Sequence, residues 1–235
     1  MIDFSKKVAS GKIEKKKDPL EIYENLDRRS ETGPLRPSQI QILESWFKTY
    51  QNKKNTIIKL HTGEGKTLIG LLLLLSKMNQ DKGPSMYLCP NKYLVEQTCL
   101  EAEKFGIPYC TMSGSDIPEE FLTSQKILVT HIQKVFNGLS VFGIKSKSIK
   151  VGSVILDDSH ACIDSIRSSF TIKINKDEPL FSEIVSLFED DLREQGEGTF
   201  LDIINNDYSS LLAIPYWSWI DKTSEIITLL SKCTD

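Results

Sequence analysis

The sequence is short of several things that would have decided its class at once. Its five cysteines, Cys89, Cys99, Cys110, Cys162 and Cys233, include no Cys-x-x-Cys pair. That scatter argues against a disulfide framework and against a zinc site, and favours a reducing, cytoplasmic setting. No apolar run reaches the length of a membrane span; the longest uncharged one, Leu68 to Ser76, is about half of what a bilayer requires. The lysine-rich start, "MIDFSKKVASGKIEKKKDPL", lacks the apolar core of an export signal. Strong charge of either sign is also missing, because the net formal charge is only -3. Any nucleic-acid binding must therefore come from a local patch, and no membrane partner is expected. Internal repeats and low-complexity tracts are absent as well.

What remains is ordinary globular material, 40% apolar and 26% charged, whose character changes along the chain. Residues 1–30 are charged and weakly periodic, and read as a partly ordered arm. Residues 31–175 alternate short apolar segments with helix-like ones: "NTIIKL" before a helix from Lys66 to about Lys77, "SMYLCP" before "NKYLVEQTCLEAEKFG", "QKILVT" before "HIQKVFNGL", and then "VGSVILDD". Strand followed by helix, repeated, is the signature of an α/β fold with a mainly parallel sheet covered on both faces. Residues 176–235 lose that rhythm and read as amphipathic helices, a mostly helical C-terminal appendage.

Within "IIKLHTGEGKTLIGLLLLL", residues 57–75, an apolar β-branched segment meets a turn with two glycines and then a leucine-rich helix. Strand, glycine turn and helix together form a cradle for phosphate. Backbone N–H groups at a helix N-terminus lack partners and carry positive potential, so they attract anionic oxygens. Gly63 and Gly65 permit torsions and close approach that a Cβ would block. Lys66 supplies a charge for the β and γ phosphates of a nucleotide, and the Thr67 hydroxyl is a ligand for Mg²⁺. The fullest form of this loop has a further glycine six positions before the lysine, where this sequence has Leu60. A plain surface turn is the competing reading.

A second element weighs against that competitor. In "VGSVILDDSHACID" a short apolar strand ends in Asp157 and Asp158. Ligands of open parallel sheets sit beyond the carboxyl ends of the strands, which puts Asp157 on the edge where the glycine loop lies. A carboxylate there can hold the hydration shell of Mg²⁺, and its neighbour can orient a water toward the γ phosphate. Alternatively both aspartates simply cap the following helix.

"HTGEGKT" followed by "LDDSH" resembles motifs I and II of the superfamily 2 helicases and translocases of the DEAD/DEAH-box group, in their first RecA-type domain. "LRPSQIQIL" resembles the upstream segment whose glutamine reads adenine, which points to Gln39 with Arg36 nearby. "YLCPNKYLVEQ" resembles motif Ia and "ILVTHIQKV" motif Ib, both of which touch the nucleic-acid backbone in the family. The resemblance covers residues 35 to 165. It implies a RecA-type P-loop NTPase three-layer sandwich using ATP and Mg²⁺ on DNA or RNA.

The resemblance also assigns roles. Gly63, Glu64, Gly65, Lys66 and Thr67 wrap the phosphates, flanked by Thr62 and Leu68; Thr67 and Asp157 serve the metal. Asp158 stands where the family usually has glutamate, the residue that positions the attacking water, and is one methylene shorter, so slow hydrolysis is one outcome. His160 matches the histidine that couples nucleotide state to the second motor domain, or else bonds locally at a helix start. Pro90, Asn91, Lys92, Thr130 and His131 fall at strand ends as candidate nucleic-acid contacts, although Asn and Thr there are also ordinary caps. His61 and His131, taken singly, read as structural. Tyr216, Trp217 and Trp219 of "YWSWI" read as core or partner anchors before base-stacking groups.

No Ser-Ala-Thr segment for motif III and no second RecA-type domain follow Asp158. The expectation is therefore an ATP-binding motor domain that is incomplete alone and needs a second RecA-type domain, in a longer chain or a partner subunit. The style of "DDSHACID" suggests a nuclease or defence-system partner. The alternative is a nucleotide-dependent switch with weak or no hydrolysis. A phosphate-loop kinase fits less well, because acceptor-site and lid residues are not found.

Overall fold

The computed structural model describes residues 15–61, 63–142, 148–205, 207 and 209–232. The chain divides into two compact units, Met1–Thr171 and Ile172–Asp235.

The first unit opens with α1 (Pro19–Glu24) and α2 (Pro37–Ser45), the latter passing directly into one π-helical turn at Trp46–Tyr50. Next come α3 (Lys66–Asn79), β1 (Ser85–Cys89), α4 (Lys92–Lys104), β2 (Tyr109–Cys110), α5 (Glu119–Leu122) and β3 (Ile127–His131). A short 3-10 turn at Ile132–Lys134, β4 (Ser153–Leu156) and α6 (Ser159–Ser169) complete it. The four strands form one sheet in the order β2-β3-β1-β4, and every pairing is parallel. The expected α/β architecture is therefore present.

Side-chain alternation divides the two faces of this sheet. Tyr87, Cys89, Ile127 and Val129 point into a core built with α1, α2, α3 and α4. Met86, Leu88 and Leu128 point into a second core with Phe121, Ile132, Phe142 and Cys162. Strand β1 is buried along its whole length, as a central strand covered on both faces must be. The leucine run of α3 is the largest apolar contribution. Leu71, Leu72 and Leu74 are at most 1% exposed, and each such burial stabilises the fold by ~2 kcal/mol.

Several expectations change. The "NTIIKL" segment forms no strand; Ile57 is 93% exposed, and β4 is paired on one side only, to β1. β-propensity in a short segment is realised only when a neighbour supplies the ladder, and among the described residues none does here. "HIQKVFNGL" gives only a 3-10 turn in place of a helix. The second half of the N-terminal arm is packed, not free. Asp18 caps α1 through Leu20 N at 2.9 Å, Ile22 and Tyr23 are buried, and α3 holds the preceding backbone through Ser76 Oγ to Lys17 O at 2.5 Å and Asn79 Nδ2 to Lys16 O at 2.7 Å.

The second unit is helical, as expected of the C-terminal residues: α7 (Pro179–Leu187), α8 (Glu189–Ile204, bent at Gly196), α9 (Tyr216–Asp221) and α10 (Thr223–Ser231). Its small core joins Phe188, Leu192, Phe200 and Ile226. Trp219 packs on Phe188 with ring centroids 4.8 Å apart, while Tyr216 and Trp217 meet edge to face and remain exposed. Asp191 ties the helices by accepting from Ser218 Oγ at 2.6 Å and Lys222 Nζ at 2.7 Å. Among the described residues no helix is long and apolar enough to cross a membrane.

Candidate nucleotide site

The glycine loop reaches α3 through two left-handed residues, Gly63 (φ 85°) and Gly65 (φ 74°). In this region only glycine is free of steric penalty. At Gly65 the need is double, because a Cβ would lie 2.3 Å from Gln39 Nε2. Helix α3 begins immediately after Gly65, and no side chain caps it. The first intrahelical bond is Ile69 N to Gly65 O at 3.2 Å, so the amides of Lys66, Thr67 and Leu68 head the helix without a capping side chain. A helix that starts in this way presents N–H groups and positive potential to an anion. The exposed Lys66 side chain adds a full charge at the same place. Thr62 lies outside the described residues.

The start of α2 holds this loop. Gln39 is 5% exposed and both ends of its amide are engaged: Oε1 accepts from Arg36 N at 2.9 Å and Nε2 donates to Glu64 O at 3.2 Å. Arg36 donates to Gly63 O at 2.5 Å, and Ser38 Oγ donates to the Glu64 carboxylate at 2.7 Å. Arg36 and Gln39 are thus brought to the loop, but in this conformation the Gln39 amide faces the chain's own backbone. The pairing of Ser38 with Glu64 carried no signal in the sequence, since the partners are far apart in it.

On the sheet side, β4 delivers Asp157 to the same edge. Its N–H donates to Leu88 O at 2.9 Å, continuing the β1-β4 ladder by one residue. Burial pushes the Asp157 carboxyl above its ordinary value; the Tyr87 hydroxyl, the Lys66 charge and the Asp158 backbone N–H oppose that rise. Asp157 is therefore within the field of Lys66. Burial, followed by the Asp157 charge, raises the pKa of the Tyr87 phenol well above its ordinary value. Thr67 in the first turn of α3 and Asp157 just beyond β4 thus supply one oxygen group each. A hydroxyl, one carboxylate and phosphate oxygens are the usual surroundings of Mg²⁺, which dehydrates reluctantly and does without an all-protein cage. Consistently, the described residues contain no cluster of three or more His, Cys, Asp or Glu side chains that could hold a metal alone. Thr67 and Asp157 fit the ion.

Asp158 behaves differently from its neighbour. It adopts a left-handed backbone (φ 46°, ψ 74°), caps α6 by accepting from Ala161 N at 3.5 Å, and is exposed. The capping alternative describes Asp158 in this conformation, while Asp157 is no cap. His160, in the first turn of α6, is exposed.

The candidate nucleic-acid residues separate by burial. Asn91 caps α4, accepting from Leu94 N at 3.0 Å; Lys92 beside it is exposed, and Pro90 is buried. Thr130 is 4% exposed and belongs to the core. His131 is half-buried, and burial, then the charges of Lys134 and Lys92, lower its pKa. Lys92, His131 and Lys134 therefore form a local basic group at the carboxyl ends of β1 and β3. Lys134, three residues after His131 in the turn that follows β3, was not among the expected residues.

The chain is also similar to known proteins. The family model of the type III restriction enzyme res subunit matches residues 32–207. ATP-dependent DNA helicase Hel308 of Thermococcus kodakarensis is 29% identical over 153 residues, which cover 62% of this chain and 13% of that protein. Hel308 of Pyrococcus horikoshii is 27% identical over 154 residues, covering 63% and 21%. Dicer-like protein 2-2 of Aspergillus niger is 31% identical over 117 residues, covering 47% and 8%. The chain thus corresponds to a minor part of each of these relatives. No solved structure matches it.

Proposed function

The chain belongs to the family of the type III restriction enzyme res subunit and carries the first RecA-type domain of a superfamily 2 helicase, and from that premise we propose that it binds ATP with Mg²⁺ and couples hydrolysis to movement on, or remodelling of, DNA or RNA. The observation that carries the proposal is the uncapped start of α3 behind two left-handed glycines, with Lys66 as its first residue.

In this reading the Gly63–Leu68 backbone amides hold phosphate oxygens, with Thr62 as a further member of the loop. Lys66 offsets the charge of the β and γ phosphates, as a flexible point charge on a helix start can. Thr67 and Asp157 hold the metal, which when bound screens the phosphate charge and polarises the bond to be broken. Gln39 and Arg36 set the loop's shape from α2 and place α2 beside the nucleotide. Asn91, Lys92 and His131 face the nucleic-acid backbone with Lys134; contacts of this kind position a strand without reading its bases. Pro90 and Thr130 shape the strand ends behind them. A second RecA-type domain, in the same longer chain or in a partner subunit, supplies the opposing wall of the ATP site, and His160 is placed to sense it. A nuclease partner suits the family of restriction subunits.

A second reading, a nucleotide-dependent switch with weak hydrolysis, is favoured by one feature. Asp158, in the position that would orient the attacking water, spends its carboxylate on the Ala161 amide and is shorter than the glutamate usual there. The two readings part on whether DNA or RNA stimulates ATP hydrolysis by the full-length protein.

Calorimetric titration of the chain with Mg²⁺-ATP, beside Lys66→Ala, tests the shared premise. Binding that the variant loses by about thirty-fold or more, as expected for the loss of charge-assisted bonds to phosphate, supports the site. Equal binding by both proteins would contradict it.

A further inference from the structure

Glu64 is out of character in the loop that contains it. It is a carboxylate between Gly63 and Gly65, two residues before Lys66, in a segment whose amides and lysine suit anions. Turned toward that segment, a negative side chain would repel phosphate and compete with it for Lys66. The local backbone does little to fix its direction, because both flanking residues are left-handed glycines, the residue type with the widest torsional freedom. The direction must be set from elsewhere in the fold.

The start of α2 sets it. Ser38, the second residue of that helix, donates from Oγ to Glu64 Oε2 at 2.7 Å, across 26 positions of sequence. A hydroxyl that donates to a carboxylate at this distance makes a charge-assisted bond, stronger than one between neutral groups. Ser38 and Glu64 are both half-buried, so water competes with the bond only in part, whereas Lys66 is exposed. The amino end of α2 also favours the charge. Its first turn contains no acidic residue, and a helix start carries positive potential, so Glu64 takes from a distant part of the chain the place that an acidic residue of α2 would fill. Two further bonds from the same helix start hold the backbone around the carboxylate, Gln39 Nε2 to Glu64 O at 3.2 Å and Arg36 Nη1 to Gly63 O at 2.5 Å. Those two act on carbonyls. Of the three bonds, only that of Ser38 acts on a charge.

We propose that Ser38 is a positioning residue, whose hydroxyl holds the Glu64 carboxylate at the start of α2 and so keeps a negative charge away from the phosphates that the glycine loop is to bind. The inference rests on the nucleotide-site reading above. Its consequence is electrostatic. Gln39 and Arg36 keep the loop's shape when Ser38 is lost, but the carboxylate is then free to turn toward Lys66.

The test is calorimetric titration with ADP at low and high salt, on wild type, Ser38→Ala, Ser38→Thr, Glu64→Gln and the double variant Ser38→Ala with Glu64→Gln, each first shown to be folded by its thermal melt. Ser38→Ala should bind ADP about five-fold more weakly at low salt, the effect of one nearby charge in a largely solvated loop, and the deficit should shrink at about 0.5 M salt. Ser38→Thr, which keeps the hydroxyl, should stay within about two-fold of wild type, and adding Ser38→Ala to Glu64→Gln should change affinity by less than about two-fold, because no charge remains to be misplaced. Wild-type affinity in folded Ser38→Ala would overturn the inference and leave the nucleotide site standing. So would a deficit that persists in the Glu64→Gln background, since it would show that Ser38 acts on the loop's shape and not on its charge. A folded wild type that binds no ADP at either salt concentration would overturn the nucleotide reading and this inference together.

Discussion

Helices α3, α4 and α6 begin at similar points in the architecture, beyond the carboxyl end of a strand or the loop that stands in for one, but they solve the start of a helix in different ways. Asn91 caps α4 and Asp158 caps α6, each with its own side chain. Helix α3, the longest of the three, has no cap and is entered through two left-handed glycines, with Lys66 as its first residue. A side-chain cap contributes about 1 kcal/mol, so leaving a helix of this length bare is a cost that the leucine core offsets. The difference separates helices whose first amides are already bonded to a cap from the one whose amides stay available.

Substitutions at the three starts should break this pattern unequally. Gly65→Ala forces a Cβ into left-handed backbone and against Gln39 Nε2, so it should cost about 2 kcal/mol in urea unfolding and weaken ADP binding as the loop shifts. Asn91→Ala should cost about 1 kcal/mol by the same measurement and leave ADP affinity unchanged. Asp158→Ala, whose capping bond is longer at 3.5 Å, should cost roughly 0.5 kcal/mol and also spare ADP affinity, while lowering any hydrolysis rate. The smallest effect is one of pH. The His131 pKa is lowered in the folded state by burial and by Lys134 and Lys92, so the unfolded chain binds more protons near the ordinary value of 6.5. Stability must then rise with pH through that range and fall as pH drops below it. His131→Asn should flatten the decline in melts collected from pH 5 to 8.

The parts of the fold that were legible in the sequence are those carried by a local apolar pattern. Ser85–Cys89, Ile127–His131 and Ser153–Leu156 are short apolar runs, and each is a strand of the sheet. The α3 leucines likewise announced a helix against a core. Elements that depend on a distant partner were not legible. Asn55–Leu60 has the composition of a strand but meets no ladder among the described residues, and the two-residue strand Tyr109–Cys110 exists only because β3 lies beside it. Helix α1 was hidden behind the lysines that precede it, since nothing local shows that Ser76 and Asn79 hold the backbone in front of it.

The site divides in the same way. Gly63, Gly65, Lys66, Thr67 and Asp157 were visible because a turn between apolar segments and a carboxylate at a strand end are local patterns. The job that Gln39 does, holding Glu64 O, arises from a contact across the fold. Asp158 was read with its capping alternative beside it, and the observed left-handed cap shows how two adjacent aspartates come to differ: one continues the ladder, the other turns the chain into α6.

Backbone amide chemical shifts followed by NMR during an ADP titration test the central claim most directly, because they report the helix starts side by side. The account predicts shifts concentrated in the amides of Gly63 through Leu68, with those of Leu94 and Ala161, already bonded to their caps, little changed. Shifts centred on α4 or α6, or none along the loop at saturating ADP, would contradict it.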